Sequence, residues 1–278
     1  MRYSYPQLKR ALGVAGGPRL DAFERYCRAM DANTRALEWS CKSSAGAIEG
    51  ARFLHTARVQ SYEAARPAVD RLLADLFGAA GVAGHPVGWL RPLAERLGEG
   101  VAVGYAEAGA PGSRRTEVKV YVSTSRVADA APVIETFVPD AGGPPDGTHK
   151  VMVAASIDEQ RGGGPRVYYL WRRGQLAAPA AARWLERWCT DEERELIAAN
   201  DGRTVSVAFK EGRRDMVYLS APFRQPEVRR MVADHLSVHP LPCEQLDNLR
   251  WIGFSKRGEG LRARELNAYF HTAGLGHA

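Results

Sequence analysis

Five segments of this chain read as hairpins, each made of two short alternating strands around a Gly, Ser or charged turn. They are "ALEWSCKSSAGAIEGARFLHTA", "GVAVGYAEAGAPGSRRTEVKVYVSTS", "HKVMVAASIDEQRGGGPRVYYLWRR", "RTVSVAFKEGRRDMVYLSAP" and "LRWIGFSKRGEGLRARELNAYF". Segments with helical spacing fall between them, at about 61–78, 87–98, 129–137, 178–199 and 226–237, and another near 19–31 precedes the first hairpin. Consecutive hairpins make neighbouring strands antiparallel, whereas single strands alternating with helices would point to a parallel sheet. Ten strands with amphipathic helices between the pairs can close into a barrel with the helices packed outside. The fold expected is therefore α+β, a ten-stranded antiparallel barrel ringed by helices, as a single domain over 1–278. An open sheet with helices on one side and water on the other would give the same alternation.

The strands carry two unlike faces. In "TEVKVYV" the valines at 118, 120 and 122 oppose Glu117, Lys119 and Tyr121. In "PRVYYLW" Val167, Tyr169 and Trp171 oppose Arg166, Tyr168 and Leu170; in "TVSVAF" Val205, Val207 and Phe209 oppose Thr204, Ser206 and Ala208. In the first hairpin Leu37, Trp39 and Cys41 share one face, Glu38, Ser40 and Lys42 the other, and Arg52 follows on the second strand. The apolar face is expected to pack on helices and the mixed face to line the lumen. That lumen would hold the cations Lys42, Arg52, Lys119 and Arg166, the aromatics Tyr121, Tyr168, Tyr218 and Tyr269, and Glu38 as a lone carboxylate. Any one of these basic residues reads more simply as a solvated surface charge. Their recurrence at inward parity on four strands points to a site.

Composition narrows the classes. The chain has 278 residues, 45% apolar and 25% charged, which is ordinary for a globular protein. A formal charge of +6 fits an anionic ligand. Nucleic acid is not the expected one, because there is no zinc finger, RNA-binding aromatic signature or long Lys/Arg run. No run approaches the roughly 18 apolar residues of a membrane helix. The start "MRYSYPQLKRALG" lacks a signal-peptide core, and Cys27, Cys41, Cys189 and Cys243 form no CxxC pair. A cytoplasmic, membrane-free monomer is expected.

Other motifs fail on their context. "LGEGVAVG" has a GxG but is followed by strand, not helix. Gly142 and Gly147 have P-loop spacing, yet Thr148 and His149 stand where Lys and Ser/Thr are required. His235 and His239 lack the Glu of HExxH and precede Pro240. There is no GxSxG elbow and no DDxxD-type cluster to chelate a magnesium–diphosphate, so no protein metal ligands are assigned.

With these residues in view, the chain resembles the cyanobactin-type peptide prenyltransferases within the ABBA aromatic prenyltransferases. "LEWSCK", with Arg52 of "ARF" fourteen residues beyond Glu38, resembles that family's first hairpin. "SRRTEVKVYV" resembles its second, "DMVYLS" its fourth, and "WIGFSK" with "NAYF" its fifth. The resemblance implies a barrel that moves a prenyl group from an allylic diphosphate, dimethylallyl or geranyl, to a side chain of a ribosomally made and often macrocyclic peptide. It implies Glu38 as general base, and Arg52, Lys119 and Tyr218 at the diphosphate, where Tyr121 of the same lumen face is also assigned. Arg166 and Tyr168 join that group on parity. Ser206, Ala208, Met216, Trp251 and Tyr269 are expected to line the prenyl and acceptor pocket. Relatives restricted to dimethylallyl groups look bulkier at the position of Ser206. Magnesium is expected to arrive with the diphosphate. Two other readings remain at this stage: the same fold acting on a free indole or phenol, and a non-catalytic isoprenoid-binding barrel, which charge deep in the lumen disfavours.

Overall fold

The computed structural model of the chain describes residues 5–11, 17–44, 47–59, 62–78, 90, 99–108, 115–137, 143–158, 162–236, 248–255 and 265–272. Ten strands appear: β1 (Thr34–Ser44), β2 (Ala47–Arg58), β3 (Gly100–Ala108), β4 (Arg115–Thr124), β5 (Lys150–Asp158), β6 (Gly162–Arg172), β7 (Thr204–Lys210), β8 (Arg213–Ser220), β9 (Leu249–Ser255) and β10 (Glu265–His271). Each pairs antiparallel with its neighbours in sequence, and β1 pairs with β10, so the sheet is a closed barrel. Closure leaves no exposed strand edge. It also decides between the barrel and the open sheet.

Seven helices are described: α1 (Tyr5–Ala11), α2 (Pro18–Ala29), α3 (Tyr62–Phe77), α4 (Val127–Phe137), α5 (Pro179–Trp188), α6 (Asp191–Ala199) and α7 (Pro226–Leu236). The helix expected near 87–98 lies outside the described residues except for Leu90. The helix expected over 178–199 is two helices. Thr190 interrupts it by capping α6: its Oγ1 accepts from the Glu193 N–H at 3.3 Å, and Glu193 Oε2 accepts from the Thr190 N–H at 2.9 Å. α1 was not foreseen from the sequence.

The two strand faces separate into two apolar clusters, as the alternation requires. The outward cluster joins Leu37, Trp39, Val118, Val120, Tyr169, Val207 and their neighbours to the helices. Phe23 of α2 stacks on Tyr105 at 5.3 Å, and Trp184 of α5 meets Tyr169 and Phe209, each at 5.6 Å. The inward cluster is Ala154, Tyr168, Ala208, Met216 and Tyr218, with Tyr121, Met152, Leu170, Trp251 and Tyr269 packed against it. Because consecutive strands run antiparallel, the barrel has two ends, one where the strands of each hairpin join and one where successive hairpins connect.

Candidate active site

The lumen is layered along the barrel axis. Near the hairpin turns a cavity of about 90 Å³ is lined by Lys42, Arg52, Lys119, Arg166, Met216 and Asn267, among others. Three of its cations are paired inside the barrel: Lys42 with Glu265, Lys119 with Glu117 and Arg166 with Asp215, each at 3.1 Å. Arg52 instead donates from Nη1 to Asn267 Oδ1 at 3.0 Å. Burial lowers the Lys119 ammonium to about 8, Glu117 opposing this and the Arg52 and Arg166 charges adding to it. Glu117 stays below the usual carboxylate range: burial alone would raise it, but Lys119 and the two arginines outweigh that.

Four phenols form an arc beyond the cations. Tyr121 lies 5.9 Å from Tyr168, Tyr168 5.8 Å from Tyr218, and Tyr218 6.2 Å from Tyr269, ring centre to ring centre. The Tyr121 and Tyr218 hydroxyls are pushed well above 10, burial being the largest cause. Such neutral, mutually tilted rings make an electron-rich wall. Met216 is fixed within it, since its Sδ accepts from Tyr218 Oη at 3.3 Å and from Asn267 Nδ2 at 3.1 Å. Tyr218 also needs Gly253: a Cβ there would stand 2.4 Å from the Tyr218 ring.

Glu38 lies further along the same face. Ser40 stands opposite Arg52, and Glu38 opposite Leu54 and His271. Two residues of strand separate Ser40 from Glu38, which is about 7 Å. Glu38 is 7% exposed, and burial raises its carboxyl to about 7, offset in part by Arg250. Ser206 and Ala208 are buried on β7; Ser206 faces Leu170 on one side and Tyr218 on the other. Trp251, half-buried, faces Tyr269.

Every residue expected to face inward therefore lies on the lumen side, including Arg166 and Tyr168, which rested on parity. One expectation needs correction: Glu38 is not the lone lumen carboxylate. Glu117 shares the parity of Lys119 and was legible as inward. Asp215 was not, because it is the extra residue where β7–β8 pairing jumps from Ala208–Met216 to Phe209–Arg214. That bulge lets Arg214 turn outward to Glu193 at 2.6 Å while Asp215 reaches Arg166. Asn267 also escaped notice, although it sits two residues before Tyr269 on the same face.

For a metal, the described residues offer no group of three or more His, Cys, Asp or Glu side chains placed to ligate. Glu265, Glu117 and Asp215 at the hairpin mouth are each engaged by a cation, an arrangement that does not suit a divalent metal. No described helix is long and apolar enough to cross a membrane.

In sequence comparisons no family model and no curated protein matches the chain. Solved structures do match in fold. PriB in complex with its product diphosphate superposes with a TM-score of 0.54 at 14% identity, over 95% of this chain and 94% of that one. The prenyltransferase PriB in complex with L-tryptophan and dimethylallyl thiolodiphosphate gives 0.54 at 15% identity over the same shares. The 6-dimethylallyltryptophan synthase of Micromonospora olivasterospora gives 0.50 at 16%, over 91% and 96%. With its ten antiparallel strands closed in a circuit, the chain has the ABBA prenyltransferase barrel fold.

Proposed function

We propose that the protein transfers a prenyl group from an allylic diphosphate to an acceptor held in the barrel lumen. The observation that carries this reading is the order of groups along one lumen: cations, then a tyrosine arc, then a buried carboxylate. Arg52, Lys119 and Arg166 bind the diphosphate and stabilise its charge as the allylic C–O bond breaks. Tyr121, Tyr168, Tyr218 and Tyr269 face the cationic carbon skeleton and keep water from it. The acceptor attacks the allylic carbon, and Glu38 takes the proton that the acceptor loses. A diphosphate that meets Lys119 and Arg166 competes with Glu117 and Asp215, which hold them at 3.1 Å.

Two acceptors are consistent with this chemistry. The first-hairpin resemblance supports a peptide side chain. The solved PriB complex with L-tryptophan supports a free indole. The peptide is the first reading and a free indole or phenol the alternative, and the assay below separates them. Magnesium enters only as a companion of the donor, and none of the steps above runs through it. The test is incubation with dimethylallyl and geranyl diphosphate, with and without magnesium, against L-tryptophan, simple phenols and linear and cyclic peptides, read as mass gains. No prenylated product from any acceptor, together with no diphosphate binding, overturns the proposal.

A further inference from the structure

The mouth at the helical-connection end is basic in a way that the hairpin mouth is not. Arg58 closes β2, Lys150 opens β5 and Arg172 closes β6. Each continues its strand's inward parity, from Leu54 through Thr56 to Arg58, from Ala154 through Met152 to Lys150, and from Tyr168 through Leu170 to Arg172. Arg250 occupies the break in β9–β10 pairing and acts on the Glu38 carboxylate. Arg58, Arg172 and Arg250 are exposed and Lys150 is half-buried.

At the hairpin mouth three cations each have a carboxylate at 3.1 Å. Here, among the described residues, none of these four cations has an ion-pair partner. Glu99, the nearby acid, is hydrogen-bonded by Ser125 Oγ at 2.6 Å and paired with Arg126 at 3.7 Å. Arg58 acts on Lys150, Arg172 and Lys150 act on His149, and Arg250 acts on Glu38. Lys150 is lowered by burial first and then by Arg35 and Arg58, with Glu99 opposing; His149 is lowered by burial, Arg172 and Lys150. Solvated arginines on a surface are common, but Arg58, Lys150 and Arg172 occupy the last inward-parity positions of their strands, at the end of the barrel beyond Glu38.

We propose that the acceptor carries a carboxylate, which this rim of Arg58, Lys150, Arg172 and Arg250 holds while the reacting ring reaches inward to Glu38. This rests on the prenyl-transfer reading. Arg58 lies four residues along β2 from Leu54, the partner of Glu38, or about 13 Å of strand. A carboxylate a few bonds from an aromatic ring, met by a long arginine side chain, spans that interval. A neutral macrocycle has no terminus to offer and would meet the rim without a counter-charge.

The test compares L-tryptophan with L-tryptophanamide, and a linear Glu-Trp-Glu peptide with its Gln-Trp-Gln counterpart, by kcat/KM with dimethylallyl diphosphate and by calorimetric binding without donor. The acid should exceed the amide about tenfold or more, falling with added salt. The ratio should drop towards one in Lys150→Gln/Arg172→Gln, with donor affinity, read at the far end of the barrel, as the check on folding. Preference for tryptophan over the acidic peptide assigns the carboxylate to a free amino acid; the reverse assigns it to a peptide. Equal binding and turnover of acid and amide, or a preference that survives the double substitution, overturns the proposal. Absence of product from every acceptor, with donor also unbound, counts instead against prenyl transfer itself.

Discussion

Arg52 on β2 donates to the Asn267 side-chain oxygen on β10 at 3.0 Å, bridging the intervening strand β1 inside the lumen. The other end of that amide donates to Met216 Sδ, which fixes which way the amide faces. Asn267 thus positions the arginine proposed to meet the diphosphate. Asn267→Leu should raise donor KM by roughly 10- to 100-fold, the weight of a hydrogen bond to a charged group. Asn267→Asp keeps the acceptor but adds a charge that competes with the diphosphate for Arg52. It should therefore keep the melting temperature yet still weaken the donor. Unchanged donor KM in both variants would remove Asn267 from the site.

Glu38 is buried and titrates at about 7. As general base it must be ionised, so kcat/KM should rise with pH through about 7. Glu38→Gln should lose that limb and two to four orders of magnitude of turnover, with donor affinity nearly unchanged. Stability should move oppositely. The folded value lies above the unfolded one of about 4.3, so stability present at low pH is lost as pH rises through 7. The glutamine variant should match the wild type near pH 4 and exceed it at pH 8, by at most roughly 4 kcal/mol. A wild-type pH profile in the variant would refute the assignment.

Much of this site was legible because a strand's two-residue period is hard to disguise. Once Val118, Val120 and Val122 are taken as helix-facing, Glu117, Lys119 and Tyr121 must face the other way. What escaped was whatever depends on a break in that period. Asp215 reaches Arg166 only because a bulge shifts β8 by one residue, and nothing in "GRRDMVYLS" marks which arginine or acid will be extra. The ion pairs at the hairpin mouth are set by the stagger between strands, which alternation alone does not reveal. The break between α5 and α6 could have been read: Thr190 and Glu193 carry the Thr-x-x-Glu capping pattern.

Lys119 loses its proton at about 8 in the free protein. Donor affinity should therefore fall as pH rises through 8, leaving a narrow optimum in kcat/KM between the Glu38 and Lys119 limbs. Lys119→Ala and Arg52→Ala should each raise donor KM about tenfold or more. Lys119→Arg should abolish the alkaline fall but recover only part of the affinity, because a planar fork does not replace a point charge paired to Glu117. Full recovery by arginine would show that Lys119 supplies charge alone.

Gly253 sits opposite Tyr218 across β8 and β9, and its missing Cβ leaves the space that the Tyr218 ring fills. Gly253→Ala places a carbon 2.4 Å from that ring, closer than non-bonded atoms approach. The tyrosine must tilt away, breaking its hydrogen bond to Met216 and its contact with Tyr168. Turnover should fall several-fold, and Tyr218→Ala introduced alongside should restore the lost stability while leaving turnover low. If Gly253→Ala is silent in both stability and turnover, the arc does not depend on that ring position.

Ser206 is expected to set how long a donor the lumen accepts. It is buried on β7, and among the described residues its hydroxyl has no hydrogen-bond partner. Leu170 and Tyr218 flank it across the neighbouring strands. Methionine often repacks to fill such a gap, but Met216 is held by hydrogen bonds from Tyr218 and Asn267 and has less freedom to swing. Each further CH₂ of an isoprenoid tail buried there contributes about 0.8 kcal/mol. Geranyl diphosphate should accordingly be used at least as well as dimethylallyl diphosphate. Ser206→Phe should suppress the longer donor while sparing or improving the shorter one, measured as the ratio of the two kcat/KM values. A wild type confined to dimethylallyl diphosphate, with Ser206→Phe without effect, would place the tail elsewhere in the lumen.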